Sequence, residues 1–493
     1  MINLKKLTLL CFFFSLAAFM FAQTDSVQAV IDTIPLGTPH IEEALKNAPS
    51  EIAVVIPQAP AGISVNSVLR GLLGMFSLLL IAFSFSRNRK AIDWKTVVIG
   101  LLIQTALAVG VLYVPFIKTF FEVIATFFVK VMDFTAAGAT FLFGDLLETS
   151  KIGYIFVFQV LPTIIFFSAL TSLLYYLNVV QVVVVGIAWL LKKAFRLSGA
   201  EGLTVAGNIF LGQTEAPLLV KRYLPNMNRS EMFLVMSAGM ATIAGAVLTA
   251  YIGLLGGNDP VARLTFAKYL LSASVMAAPG VIVIAKIIYP QTESVDTDLK
   301  VDRNSVGKNV LDAISNGTVE GVKVAVNVGA MLLVFIAMVA MLDYILGGLI
   351  GHYTGLNDWL SSVSDGKYTV FNFQFVVGMV CTPIAWLMGV PNADMVNIGS
   401  LLGTKVMINE FVAYNDMAAM KVAGSFMYEK SIIMATFLLC GFANISSIGI
   451  QIGGISILAP NQRETLTQLG FLALICGTLA SCMSATIVGM ILG

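Results

Sequence analysis

The chain has 493 residues, 58% hydrophobic and only 12% charged, with a mean hydropathy of +0.89 and a net charge of +1. A soluble domain of this size carries about 25% charged residues, so a water-solvated globular protein is excluded and many segments must be solvated by lipid. The near-neutral balance leaves no basic face for a nucleic-acid partner.

Residues 1–22 place Lys5 and Lys6 before an apolar run over 7–21 and a small residue at Ala22, the layout of a secretory signal peptide. Residues 23–64 set one basic residue, Lys46, against several acids and prolines, and read as an exported, loosely ordered segment. A helix needs about 20 mostly apolar residues to cross the hydrocarbon core. Eight stretches qualify: 65–86, 97–117, 152–177, 231–255, 264–289, 321–350, 431–457 and 466–492.

Between the first two spans, Arg87, Arg89, Lys90 and Lys95 mark a cytoplasmic loop. The first span then runs from outside to inside, and both termini of the mature chain lie outside a plasma (inner) membrane. The same orientation puts Lys192, Lys193, Arg196, Lys221, Arg222 and Arg229 inside, with the polar stretch 291–320 as a cytoplasmic loop. Residues 118–147 mix Phe and Val with Lys118, Glu122, Lys130 and Asp133, which suits an interfacial helix, as does 178–196. Residues 370–390, interrupted by Pro383, read as interfacial or partly inserted.

Two polar islands break the apolar pattern. At 200–225, Gly212, Gln213, Thr214 and Glu215 sit between apolar flanks with Pro217 just beyond; at 398–417, Asn409 and Glu410 do the same. Such segments read as re-entrant hairpins, since irregular backbone at membrane depth survives only inside protein or beside a water-filled cavity. Acids there are costly and functional by default; the competing reading is a pair of short aqueous loops. Each hairpin precedes a span with an unusual middle. One, 236–251, is dense in Gly, Ala, Ser and Thr; the other, 440–454, carries Asn444, Ser446 and Ser447. Small residues also serve close packing, yet Asn444 and Ser447, a helical turn apart, offer two hydrogen-bonding groups on one face.

The order span, hairpin, broken span, span therefore occurs twice, at 152–289 and at 321–492, with opposite orientation. An inverted repeat with a midplane site is the pattern of a secondary transporter. The fold class is an all-α polytopic membrane protein with eight transmembrane helices, two re-entrant hairpins and interfacial helices. Its parts are 65–150 (N-terminal spans and interfacial helix), 151–290 (first repeat), 291–320 (cytoplasmic loop) and 321–493 (second repeat).

The blocks NIFLGQTEAPLLVKRYLP (208–225) with MATIAGAVLTAY (240–251), GSLLGTKVMINEFVAY (399–414) and GFANISSIGIQIGG (441–454) closely resemble the concentrative nucleoside transporter family. The likeness runs over about residues 65–490. It implies a homotrimer in which a scaffold holds a mobile transport domain that carries nucleoside by an elevator-like movement. On the matching positions, Gln213, Thr214 and Glu215 would address the nucleobase. Val247 would pack on it, Phe442 would wall it, and Glu410, Asn444 and Ser447 would bond the ribose hydroxyls. Sodium, the coupling ion, would take the Asn208 and Thr242 side chains and the Leu211 and Ile243 carbonyls, hard oxygens suited to an alkali cation. No other cofactor is implied.

These roles suit a neutral solute rich in donors and acceptors. Free phosphates are expected to be excluded, because Glu215 and Glu410 present negative charge and no basic clamp is evident. The rivals are proton coupling through Glu215 or Glu410, an intramembrane enzyme using those acids, and a channel. The motifs of hydrolytic enzymes are absent, and a channel cannot concentrate solute. The five cysteines lie in apolar runs with no metal-ligand spacing, and the two histidines, His40 and His352, lie in polar connections.

Overall fold

The computed structural model describes residues 57–147, 155–257, 259–296, 307–363 and 368–493. The signal-peptide reading at 1–22, and all but the end of the segment 23–64, fall outside them. Among the described residues, seven helices are long and apolar enough to cross a membrane. The eighth expected span, 431–457, is instead two shorter helices separated by a break.

Helix α1 (Val65–Ser84) starts at a capping box between Ser64 and Ser67. Helix α2 (Trp94–Tyr113) starts at Asp93, whose carboxylate accepts from Lys95 N at 3.1 Å and the Thr96 hydroxyl at 2.8 Å. The Thr96 hydroxyl holds the Asp93 carboxyl below its ordinary range. Pro115 opens α3 (Pro115–Phe143), the amphipathic stretch expected at 118–147, as one continuous helix. Next come α4 (Leu161–Tyr176), preceded by the single turn Phe156–Gln159, and α5 (Val179–Phe195).

The first hairpin descends as α6 (Gly199–Asn208) from a capping box of Ser198 and Glu201. It returns through 3₁₀ turns, Ala216–Val220 and Leu224–Asn226, rather than an α-helix. Pro217 and Pro225 sit at the start of those turns and withhold the N–H groups a longer helix would need. The broken span follows as α7 (Arg229–Ala241) and α8 (Gly245–Gly256), and α9 (Pro260–Ile288) closes the first repeat.

The second repeat opens with α10 (Val310–Asp343), continued as a π-helical stretch Tyr344–Gly351. It begins inside the segment 291–320 read as a loop: Asn309 caps it, accepting from Asp312 N at 2.9 Å. Asp312, Asn316 and Glu320 made that stretch look like a connection, whereas they are polar positions on a helix longer than its apolar run. After α11 (Leu356–Val363) and α12 (Phe373–Leu387), the second hairpin is α13 (Met395–Met407) and α14 (Glu410–Val422). Then come α15 (Glu429–Leu439), α16 (Ile445–Leu458) and α17 (Arg463–Leu492).

Burial separates inner from outer helices. In α9 94% of the apolar stretch is buried, and in α7–α8 89%, against 17% in α10. Helices α9 and α17 pack on each other and each packs on both α7 and α15, with α1 against α17 and α2 against α9; α10 lies along α4. The two helix breaks meet inside this bundle, where Phe442 N donates to Thr242 O at 3.2 Å. Gly441 has φ +149°, and a Cβ there would stand 2.7 Å from Ala241 O, so this crossing requires glycine.

Candidate functional site

The site forms where both hairpin tips and both helix breaks converge. At the first tip the chain turns at Gly212, with Glu215 N donating to Gly212 O at 3.0 Å. The Glu215 carboxylate folds back and accepts from Gly212 N at 3.1 Å. Gln213 reaches the second repeat: its Nε2 donates to Ser447 Oγ at 3.2 Å, and its Oε1 accepts from Gln451 Nε2 at 3.1 Å. Gln451 Nε2 also donates to Met236 O at 3.0 Å. This arrangement needs Gly239, where a Cβ would lie 2.6 Å from Gln451 Nε2 and 2.9 Å from Gln213 Cβ.

At the second tip Asn409 caps α14, its Oδ1 accepting from Val412 N at 2.9 Å. That leaves Glu410 in the first turn, where the helix dipole favours an anion. The buried Glu410 carboxylate accepts from Asn444 Nδ2 at 2.8 Å and from Tyr251 OH at 3.1 Å. Asn444 precedes α16 rather than sharing its face with Ser447. It is the cap: its Oδ1 accepts from Ser447 N at 2.8 Å and Ser446 Oγ at 2.7 Å. Asn444 thus reaches Glu410 only through its amide nitrogen.

A cavity of about 750 Å³ opens at this convergence. Gln213, Thr214, Glu215, Val247, Glu410, Phe442, Asn444 and Ser447 all line it. Its far wall comes from α4 and α10, including Ser168, Tyr175, Glu320 and Asn327. Lys221, an exposed residue, also lines the cavity, as do three glutamates, Glu215, Glu320 and Glu410.

Of the four residues expected to hold sodium, Leu211 lines the cavity, while Asn208, Thr242 and Ile243 are buried and do not. Asn208 ends α6 fully buried, and among the described residues neither its Oδ1 nor its Nδ2 has a hydrogen-bond partner. Buried polar atoms are nearly always satisfied, so this amide oxygen has lone pairs available to a cation. Thr242 lies in the first break, its hydroxyl donating to Ala238 O at 2.9 Å and keeping its lone pairs. Neutral oxygens of this kind fit an alkali cation.

Sequence reasoning missed Tyr251 and Gln451, although both lie inside the blocks quoted above. A glutamine or tyrosine at membrane depth needs a buried partner, and here the partners are the two hairpin tips.

Residues 73–146 match the family described as Na+ dependent nucleoside transporter N-terminus, and residues 269–489 its C-terminal counterpart. Residues 157–258 match a family described as nucleoside recognition. The chain is 42% identical over 433 residues to an uncharacterized transporter of Haemophilus influenzae, covering 87% of this chain and 98% of that one. It is 37% identical over 440 residues to the nucleoside permease NupC of Helicobacter pylori, covering 87% and 99%. A solved structure of CNTnw in an inward-facing substrate-bound state superposes with a TM-score of 0.77 at 38% identity, covering 86% of this chain and 99% of that one.

Proposed function

The chain belongs to the Na+ dependent nucleoside transporter family, and from that premise we propose that it is a symporter importing nucleosides on an inward sodium gradient. Its relatives are transporters, not enzymes, so Glu215 and Glu410 are read as binding groups. The observation that carries the substrate reading is the Glu410 carboxylate, oriented by two donors and facing a cavity with acceptor capacity to spare.

In this reading Glu410, Asn444 and Ser447 hold the ribose; Gln213, Thr214 and Glu215 address the base; Val247 and Phe442 pack against it. A site that pairs hydroxyls rejects analogues lacking them. Sodium binds the Asn208 and Thr242 side chains with the Leu211 and Ile243 carbonyls, and the partnerless Asn208 amide supports that assignment. One charge moving inward gains about 2.3 kcal/mol per 100 mV, enough to accumulate a neutral solute roughly fiftyfold.

The protein spans the membrane several times. We read its termini as external and its membrane as the plasma membrane, on the basic residues of the 87–95 loop. Its α4–α10 pair is read as a scaffold along which the buried bundle moves, elevator-fashion, in a homotrimer. The largely exposed apolar face of α10 supports that scaffold role.

Uptake of labelled uridine into proteoliposomes, driven separately by sodium and by proton gradients, tests this reading. Accumulation with sodium alone is expected. Uptake that ignores sodium but collapses with a proton uncoupler would transfer the coupling role to protons.

A further inference from the structure

Lys405 is fully buried in α13, five positions before Glu410 in the chain. Its Nζ donates to Leu438 O at 2.8 Å and to Ser481 Oγ at 3.2 Å. Among the described residues, no carboxylate lies within ion-pair distance of it. A buried charge without a counter-ion is costly to keep at membrane depth. The buried cation Lys286, by comparison, has a carboxylate partner in Glu201 at 2.5 Å.

What Lys405 holds is the end of a half-helix. Leu438 O is one of the last carbonyls of α15, where the dipole is negative and the acceptors lack intrahelical donors. Ser481 Oγ, its second acceptor, lies within donating distance of Cys440 O at 3.4 Å and Gly477 O at 3.2 Å. One ammonium therefore joins the second hairpin, the terminal helix and the chain entering the second break. Four residues beyond Leu438, Phe442 N donates to Thr242 O, and Thr242 belongs to the proposed ion site.

We propose that Lys405 is a positioning residue for ion coupling: it fixes the end of α15, and through the Phe442–Thr242 contact it sets the backbone that presents oxygen ligands to sodium. A hairpin carrying the substrate-binding Glu410 is thereby tied to the ion site by a fixed charge rather than by contact with either ligand. The inference rests on the sodium reading above.

The test uses the full-length protein in proteoliposomes, measuring half-saturating sodium for uridine uptake, together with the rise in Tm on replacing choline by sodium without nucleoside. Lys405→Met, which keeps the stem and removes the charge, is expected to raise half-saturating sodium by roughly tenfold or more and to shrink the sodium-dependent Tm shift. Ser481→Ala, a milder change, should move both in the same direction by about threefold in sodium. It decides the matter alone should Lys405→Met fail to fold. A sodium-dependent wild type whose folded variants keep wild-type half-saturation and lose only maximal rate would overturn the role of Lys405. A wild type indifferent to sodium would overturn the sodium reading and this inference with it.

Discussion

Replacing Tyr251 by Phe removes one hydroxyl and leaves everything else in place. The ring is fully buried, packed edge-on against Phe411 with centroids 4.7 Å apart and tilted against Tyr414 at 4.3 Å. Those contacts survive the substitution. The hydroxyl itself donates to Glu410 Oε1 at 3.1 Å. A hydrogen bond to a charged group contributes about 1.5–3 kcal/mol. Glu410 keeps its bond from Asn444 at 2.8 Å, so the lower end applies, and nucleoside Kd should rise roughly tenfold. Isothermal titration at saturating sodium with purified Tyr251→Phe measures this directly. Binding of a ribose analogue lacking a hydroxyl should weaken less than that of the parent nucleoside, because what the variant loses is the orientation of the group that reads hydroxyls. An unchanged Kd, or equal weakening for both compounds, would refute the view that Tyr251 orients Glu410 toward the sugar.

Glu410→Gln and Asn444→Ala should each abolish most uptake while leaving the folded protein intact; wild-type transport by both would remove the ribose assignment. Thr242→Ala should raise the sodium needed for half-maximal uptake, by roughly tenfold, with nucleoside affinity at saturating sodium preserved. Gly239→Ala inserts a methyl against Gln451 Nε2 and Gln213 Cβ, an overpacking of about 1–3 kcal/mol. Calorimetry and thermal melts should show it weakening nucleoside binding more than it lowers Tm, since the flexible Gln451 amide gives way and releases its bond to Gln213 Oε1.

Much of this was legible in the chain because lipid imposes simple rules. Apolar runs near the length of the hydrocarbon core marked the spans. Polar islands with prolines and glycines marked the hairpins at 200–225 and 398–417, because exposed backbone cannot survive in lipid. The boundary at Val310 was not legible: a helix that outruns its apolar stretch carries charged residues indistinguishable from a loop. The broken helices were visible as runs of small and polar residues around Thr242 and Asn444.

Contacts between the repeats needed the tertiary structure. Gln213 and Gln451 are 238 residues apart in the chain, and Tyr251 and Glu410 are 159 apart. Nothing in their spacing links them. The sequence alone marked two acids in polar islands, each on a hairpin followed by a broken helix, since hydropathy and backbone satisfaction are local properties. Only the fold decided which buried donors hold Glu410 and that Asn444 serves as a helix cap. It also left, among the described residues, the Asn208 amide without a hydrogen-bond partner and Lys405 without a carboxylate at ion-pair distance, because hydrogen bonding in a water-poor interior depends on which elements meet in space.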